Sequence, residues 1–223
     1  MKYEILYQPS FAVARIMLDP GDAIRAEAGA MLSMSPTIEL ESKMHGGFGK
    51  ALGRLFGGES MFQSTFSAAR GAGEVLLAPP GPGDVLALPM TGPGMMVTSG
   101  CYLAGDISLQ LETVATMKGF FAGEGLFMLR VSGAGALLLS SFGAVIGVQL
   151  APGQQYIVDT GHLVAFSEGM EFNIRRATRT LTGMMTSGEG TVAELTGPGM
   201  AYIQTRTPRG FAAWLSTFGP ARR

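Results

Sequence analysis

One cysteine, two histidines and one tryptophan in 223 residues leave little room for several common chemistries. Cys101 cannot form an internal disulfide framework on its own, and a chain without one fits a reducing compartment. No base partner for Cys101 is evident, so it reads as a small core residue and not a nucleophile. His45 and His162 stand far apart, and neither lies in an H-x-H or H-x-x-x-H pattern. A cupin-type metal site, which needs clustered histidines with a carboxylate, is therefore not expected. Charged residues make up 15% of the chain, against roughly 25% in an average soluble domain. The net charge of −1 lacks the basic excess of a dedicated nucleic-acid binder. Aromatic and basic residues are not interleaved along any strand, which removes a single-strand stacking platform. Catalytic signatures are missing too. Gly49-Lys50 has Met44 and Ala51 where a phosphate loop needs glycine and Ser/Thr, and no G-x-S-x-G elbow occurs. The start, MKYEILYQPS, has no signal-peptide core, because Glu4 and Gln8 interrupt it. A cytoplasmic, non-secreted protein without a cofactor or an enzymatic activity is the expectation.

What the chain has in quantity is glycine, 33 residues, with 12 prolines and short apolar runs between them. That pattern favours an all-β fold with many turns. Low charge with a mean hydropathy of +0.28 implies more apolar surface than a lone domain needs. Subunit interfaces account for it most simply, and a membrane-facing patch is the alternative. The uncharged stretch Val131 to Val158 is long enough to suggest a span. Its glycines and Pro152 argue against that. So does its counterpart Ala69 to Asp84, which carries Arg70, Glu74 and Asp84.

One motif returns at equal intervals. Gly58-Glu59, Gly123-Glu124 and Gly188-Glu189 lie sixty-five residues apart. Each leads into a strand pattern and then a glycine pair: Gly71-Ala72-Gly73, Gly133-Ala134-Gly135 and Gly197-Pro198-Gly199. These pairs are expected to make hairpin turns. Upstream, turns such as Asp19-Pro20-Gly21-Asp22 and Pro82-Gly83-Asp84 precede apolar strands, and small apolar runs follow: AMLSM, CYLAG and HLVAF. An alternating strand comes next in each copy. It sets Ile38 and Leu40, or Ile107, Leu109 and Leu111, or Met170, Phe172 and Ile174, against polar neighbours. The reading is three internal repeats, about 11–79, 80–147 and 148–207, fused into a single domain over 1–223. Residues 209–218 place Phe211, Trp214, Leu215 and Phe218 at helical spacing, flanked by Arg206, Arg209, Arg222 and Arg223. This is one short closing helix, packed on the sheet or on a neighbour.

Three sets of residues are candidates for function. The inserts before each Gly-Glu pair end in bulky apolar residues: Leu55-Phe56, Phe120-Phe121 and Met184-Met185. With the helix residues Phe211, Trp214, Leu215 and Phe218 they form the candidate interaction surface. Glu59, Glu124 and Glu189 would meet and bind a cation if the copies surround a three-fold axis. Otherwise each carboxylate accepts hydrogen bonds from backbone N–H groups of its own glycine loop. His162 occupies the slot of Ala30 and Cys101 and reads as a packed or hydrogen-bonded histidine.

GGESMFQSTFSA, AGEGLFMLRVSGAG, VDTGHLVAF and LTGPGMAYIQTR followed by FAAWL resemble the bacterial uncharacterised family related to altered inheritance of mitochondria protein 24. The resemblance covers nearly the whole chain. It implies the double-stranded β-helix topology shared with the tryptophan RNA-binding attenuator protein, here as a β-sandwich-like body. It also implies oligomeric assembly as a homotrimer, and its mitochondrial relatives are implicated in inner-membrane organisation. It carries no catalytic residue. The expected function is a non-enzymatic oligomeric scaffold or interaction protein whose further partner is a membrane surface or a membrane-bound protein. The alternative is a module that binds a small ligand or cation through the Gly-Glu loops.

Overall fold

A computed structural model describes residues 1–44, 62–115, 127–177 and 190–219. The body is β-structure in several sheets with one short C-terminal helix. The first part of the chain supplies β1 (Lys2–Leu6), β2 (Val13–Leu18), β3 (Ala23–Glu27), β4 (Met31–Met34), β5 (Glu39–Met44), β6 (Phe62–Ser67) and β7 (Gly73–Leu77). The middle supplies β8 (Val85–Thr98), β9 (Tyr102–Asp106), β10 (Gln110–Ala115) and β11 (Phe127–Ser140). The last part supplies β12 (Val145–Leu150), β13 (Gln155–Asp159), β14 (Leu163–Ser167), β15 (Glu171–Arg176), β16 (Thr191–Thr196) and β17 (Gly199–Gln204). Helix α1 (Pro208–Ser216) follows.

Residue pattern explains the strands. In β2, Ala14, Ile16 and Leu18 point inward while Val13, Arg15 and Met17 are half-exposed, the two-residue period of a sheet with one wet face. In β3, Ile24 and Ala26 are buried and Arg25 is not. The apolar faces merge into three adjoining clusters. One gathers Ile16, Ile24, Phe66, Leu77 and Leu138, a second Val97, Tyr102, Leu129 and Leu137, and a third Met128, Leu163, Phe166 and Leu195. Burying one leucine such as Leu138 contributes about 1.5–3 kcal/mol. An ion pair at the surface, such as Arg130 with Glu168, contributes about 1 kcal/mol at most. Apolar burial therefore dominates the stability of this charge-poor chain.

Among the described residues the named strands pair antiparallel, and the same four pairings occur in each part. At the front, β2 and β4 flank β7, while β3 and β5 flank β6. At the back, β12 and β14 flank β17, while β13 and β15 flank β16. In the middle, β8 and β11 are long enough to serve both sets. The start of β8 pairs with the end of β11, where β9 joins it, and the end of β8 pairs with the start of β11, where β10 joins it. Two further pairings, β3 with β9 and β8 with β14, join these parts into a ten-stranded sheet.

The glycine pairs differ from expectation. None makes a hairpin turn: β6 and β7 have different partners, as do β16 and β17, and β11 runs unbroken through Gly133-Ala134-Gly135. Gly71-Ala72-Gly73 and Gly197-Pro198-Gly199 lie where the chain passes from one sheet to another, and Gly133-Ala134-Gly135 lies within one long strand. At Gly133 a register shift in the ladder coincides with a φ of +106°, and an added Cβ would lie 3.0 Å from the Ser108 carbonyl oxygen. The alternating strands also bury less than their pattern suggests. Ile38, Leu109 and Met170 are buried, but Leu40, on β5 with a neighbour on one side only, and Ile107, in the turn between β9 and β10, are exposed.

Candidate interaction surface

Helix α1 begins where its sequence dictates. Thr207 has extended backbone and its hydroxyl oxygen accepts from the Gly210 N–H at 3.0 Å, with Pro208 in the first turn where it needs no N–H partner. At the far end the Thr217 hydroxyl donates to the Trp214 carbonyl at 2.7 Å. The helix sits beside the segment that links β11 to β12. There Gln204, a buried side chain, accepts from the Phe142 N–H and donates to the Gly161 carbonyl, both at 2.8 Å. His162 Nδ1 donates to the Gln204 carbonyl at 2.6 Å, and the Thr205 hydroxyl oxygen accepts from the Ala144 N–H at 3.0 Å. His162 is thus a hydrogen-bonded structural residue, and Cys101 is buried.

This platform holds one end of an aromatic row. Phe142 meets Phe211 at 5.4 Å between ring centres, Phe211 meets Trp214 at 5.8 Å, and Trp214 meets Phe218 edge-on at 5.0 Å. Beyond Phe142 the row leaves the body. Phe211, Trp214, Leu215 and Phe218 are 39%, 55%, 48% and 72% exposed, and no residue of α1 is buried. The structure therefore does not lay this stripe on its own sheet.

Leu55, Phe56, Phe120, Phe121, Met184 and Met185 lie outside the described residues, as do Glu59, Glu124, Glu189, His45, Arg222 and Arg223. Among the described residues, no three His, Cys, Asp or Glu side chains come together as a metal site. Sequence reasoning missed a second apolar surface. Met31, Leu32 and Met34 of β4 and Ile157 of β13 are exposed, although AMLSM is a small apolar run like CYLAG, which is buried.

The family model described as mitochondrial biogenesis AIM24 matches residues 3–206. The chain belongs to the AIM24 family. An uncharacterised protein of Streptococcus pyogenes serotype M6 is 32% identical over 230 residues, covering 99% of this chain and 92% of that protein. The X-ray crystal structure of a Streptococcus pyogenes protein superposes with a TM-score of 0.83 at 29% identity, over 98% of this chain and 99% of the other. The AIM24 match stops at residue 206, just short of α1, so the helix lies beyond the part that defines the family. Among the described residues of this AIM24 chain, no helix is long and apolar enough to cross a membrane.

Proposed function

We propose that this AIM24 protein is a non-enzymatic scaffold that works as a homo-oligomer, a trimer, in which α1 presents an apolar face to a membrane surface or a membrane-bound protein. The body is read as a double-stranded β-helix that serves as a rigid mount. One observation carries the proposal: an aromatic row is anchored to the body at Phe142 and left uncovered at Trp214 and Phe218. A capped nine-residue helix with one apolar side and a fixed base is suited to lie along an interface, where tryptophan is favoured.

Flotation with anionic phospholipid vesicles tests the membrane arm. The wild type should rise with the lipid. Trp214→Ala and Phe218→Ala together should reduce the bound fraction about tenfold, the effect of ~1.4 kcal/mol. Full retention in the double variant would remove α1 as the contact. Light scattering tests the oligomer directly, and a monomeric mass across the micromolar range would remove that part.

A further inference from the structure

Among the described residues β4 and β13 each have one edge with no strand beside it, and these edges are the two sides of a junction that the chain makes twice elsewhere. In the first junction β3 meets β9, with Ile24 opposite Asp106, Arg25 opposite Gly105 and Ala26 opposite Ala104. In the second β8 meets β14, with Met95 opposite Ser167, Met96 opposite Phe166 and Val97 opposite Ala165. The other neighbour of each strand fixes its position in the scheme. β3, β8 and β13 lie against β6, β11 and β16. β9, β14 and β4 lie against β11, β17 and β7, and each shows a register shift at the same point, at Tyr102/Ala104, Leu163/Ala165 and Met31/Ser33. β4 is thus the counterpart of β9 and β14, and β13 the counterpart of β3 and β8. Yet β4 ends its four-stranded sheet and β13 ends its three-stranded sheet.

Exposure follows the missing partner. Leu103 and Val164, the second residues of β9 and β14, are both 0% exposed, whereas their counterpart Leu32 is 54% exposed. Tyr102 and Leu163 are buried, whereas Met31 is exposed. On the other strand Ile157 is 54% exposed, whereas its counterparts Arg25 and Met96 are half-buried. Neither β4 nor β13 carries the lysine or proline that commonly protects an open edge.

We propose that β4 of one copy pairs antiparallel with β13 of a second copy, in the register of the two internal junctions. Ser35 then faces Tyr156, Met34 faces Ile157 and Ser33 faces Val158. The contact is head-to-tail, since each copy offers β4 to one neighbour and β13 to another, and such contacts build a ring when the rotation between copies closes. Backbone bonding at the sheet edge supplies the affinity, and covering Leu32, Met31 and Ile157 adds to it. The inference rests on the oligomeric reading above and names the surface that builds the oligomer.

The test is a cross-link in register. Adjacent residues of paired strands lie within reach of a disulfide. Met34→Cys with Ile157→Cys should oxidise to covalent species of two and more chains on a non-reducing gel. Either single variant should not, and Cys101 is buried. In parallel, Met34→Asp with Ile157→Asp should give a monomeric mass by light scattering with unchanged circular dichroism, and Met34→Lys with Ile157→Glu should restore the oligomer. An assembled wild type that gives no cross-link and stays assembled with the two aspartates would overturn this pairing and leave the scaffold reading standing. A cross-link confined to single chains would show the edges closing within one molecule and would overturn it as well. A wild type monomeric at every concentration would remove both.

Discussion

Replacing Tyr102 by Phe should cost stability at neutral pH and return it in alkali. Tyr102 is buried at the junction of β3 and β9, and its hydroxyl donates to the Arg25 carbonyl at 3.1 Å. Losing that bond costs about 1 kcal/mol, and up to about 3 kcal/mol if the carbonyl is left without a partner. For a domain of this size 1 kcal/mol corresponds to about 2–4 °C in Tm. Burial also raises the phenol pKa well above its ordinary 10.0, the loss of water outweighing the opposing pull of the Arg25 charge. The folded state therefore holds its proton more tightly than the unfolded chain. That contribution is fully present below pH 10 and is lost as pH climbs from 10 toward the raised value, at up to about 1.4 kcal/mol per pH unit. The phenylalanine variant has no such term. If the neutral cost is about 1 kcal/mol, the stability curves of wild type and variant should meet near pH ~11. Urea unfolding followed by circular dichroism at pH 7, 9, 10 and 11 measures both curves. The other tyrosines, including the half-buried Tyr202 whose pKa burial also raises, contribute equally to the two proteins. A gap that stays constant from pH 9 to pH 11 would refute the buried neutral phenol.

Two glycines test the close packing of the backbone. A Cβ on Gly83 would lie 1.6 Å from the Ser141 carbonyl oxygen, so Gly83→Ala should lose about 3 kcal/mol or more by chemical unfolding, while Gly147→Ala, whose Cβ would meet nothing closer than 3.4 Å, should stay within about 0.5 kcal/mol. Thr207→Ala removes the cap on α1 and should loosen that helix by about 1 kcal/mol. Its effect should appear as faster hydrogen exchange at the start of α1, with the melting of the sheets unchanged.

Where a feature is set by neighbours in sequence, it could be read directly. The alternation of β2 and β3, the β-rich composition and the helical spacing of Phe211, Trp214, Leu215 and Phe218 each depend on a few consecutive residues, and each is found. The glycine pairs were misread because the same residues serve two geometries. Gly-Ala-Gly supplies positive φ for a hairpin and equally for a bend within a strand. What separates them is whether the flanking segments pair with each other. In β11 they do not: the start of the strand is bound by β8 and β10, and the end by β8 and β9.

The exposed edge of β4 was illegible for a similar reason. AMLSM, CYLAG and HLVAF are equally apolar, and each begins just after a glycine turn. Leu32, Leu103 and Val164 hold the same position within their strands, and nothing local distinguishes them. Their exposure differs because β9 has β3 beside it and β14 has β8, while β4 has no second strand beside it among the described residues. An apolar side chain at such a position lowers the free energy only when a neighbouring strand covers it, and Leu32 is as apolar as the residues that are covered. A monomer gains nothing from keeping Met31, Leu32 and Met34 on an open edge, and an exposed edge of this kind invites pairing with other strands. Their side chains therefore count as evidence about what lies outside the chain, in a way that the charged residues of β5 do not.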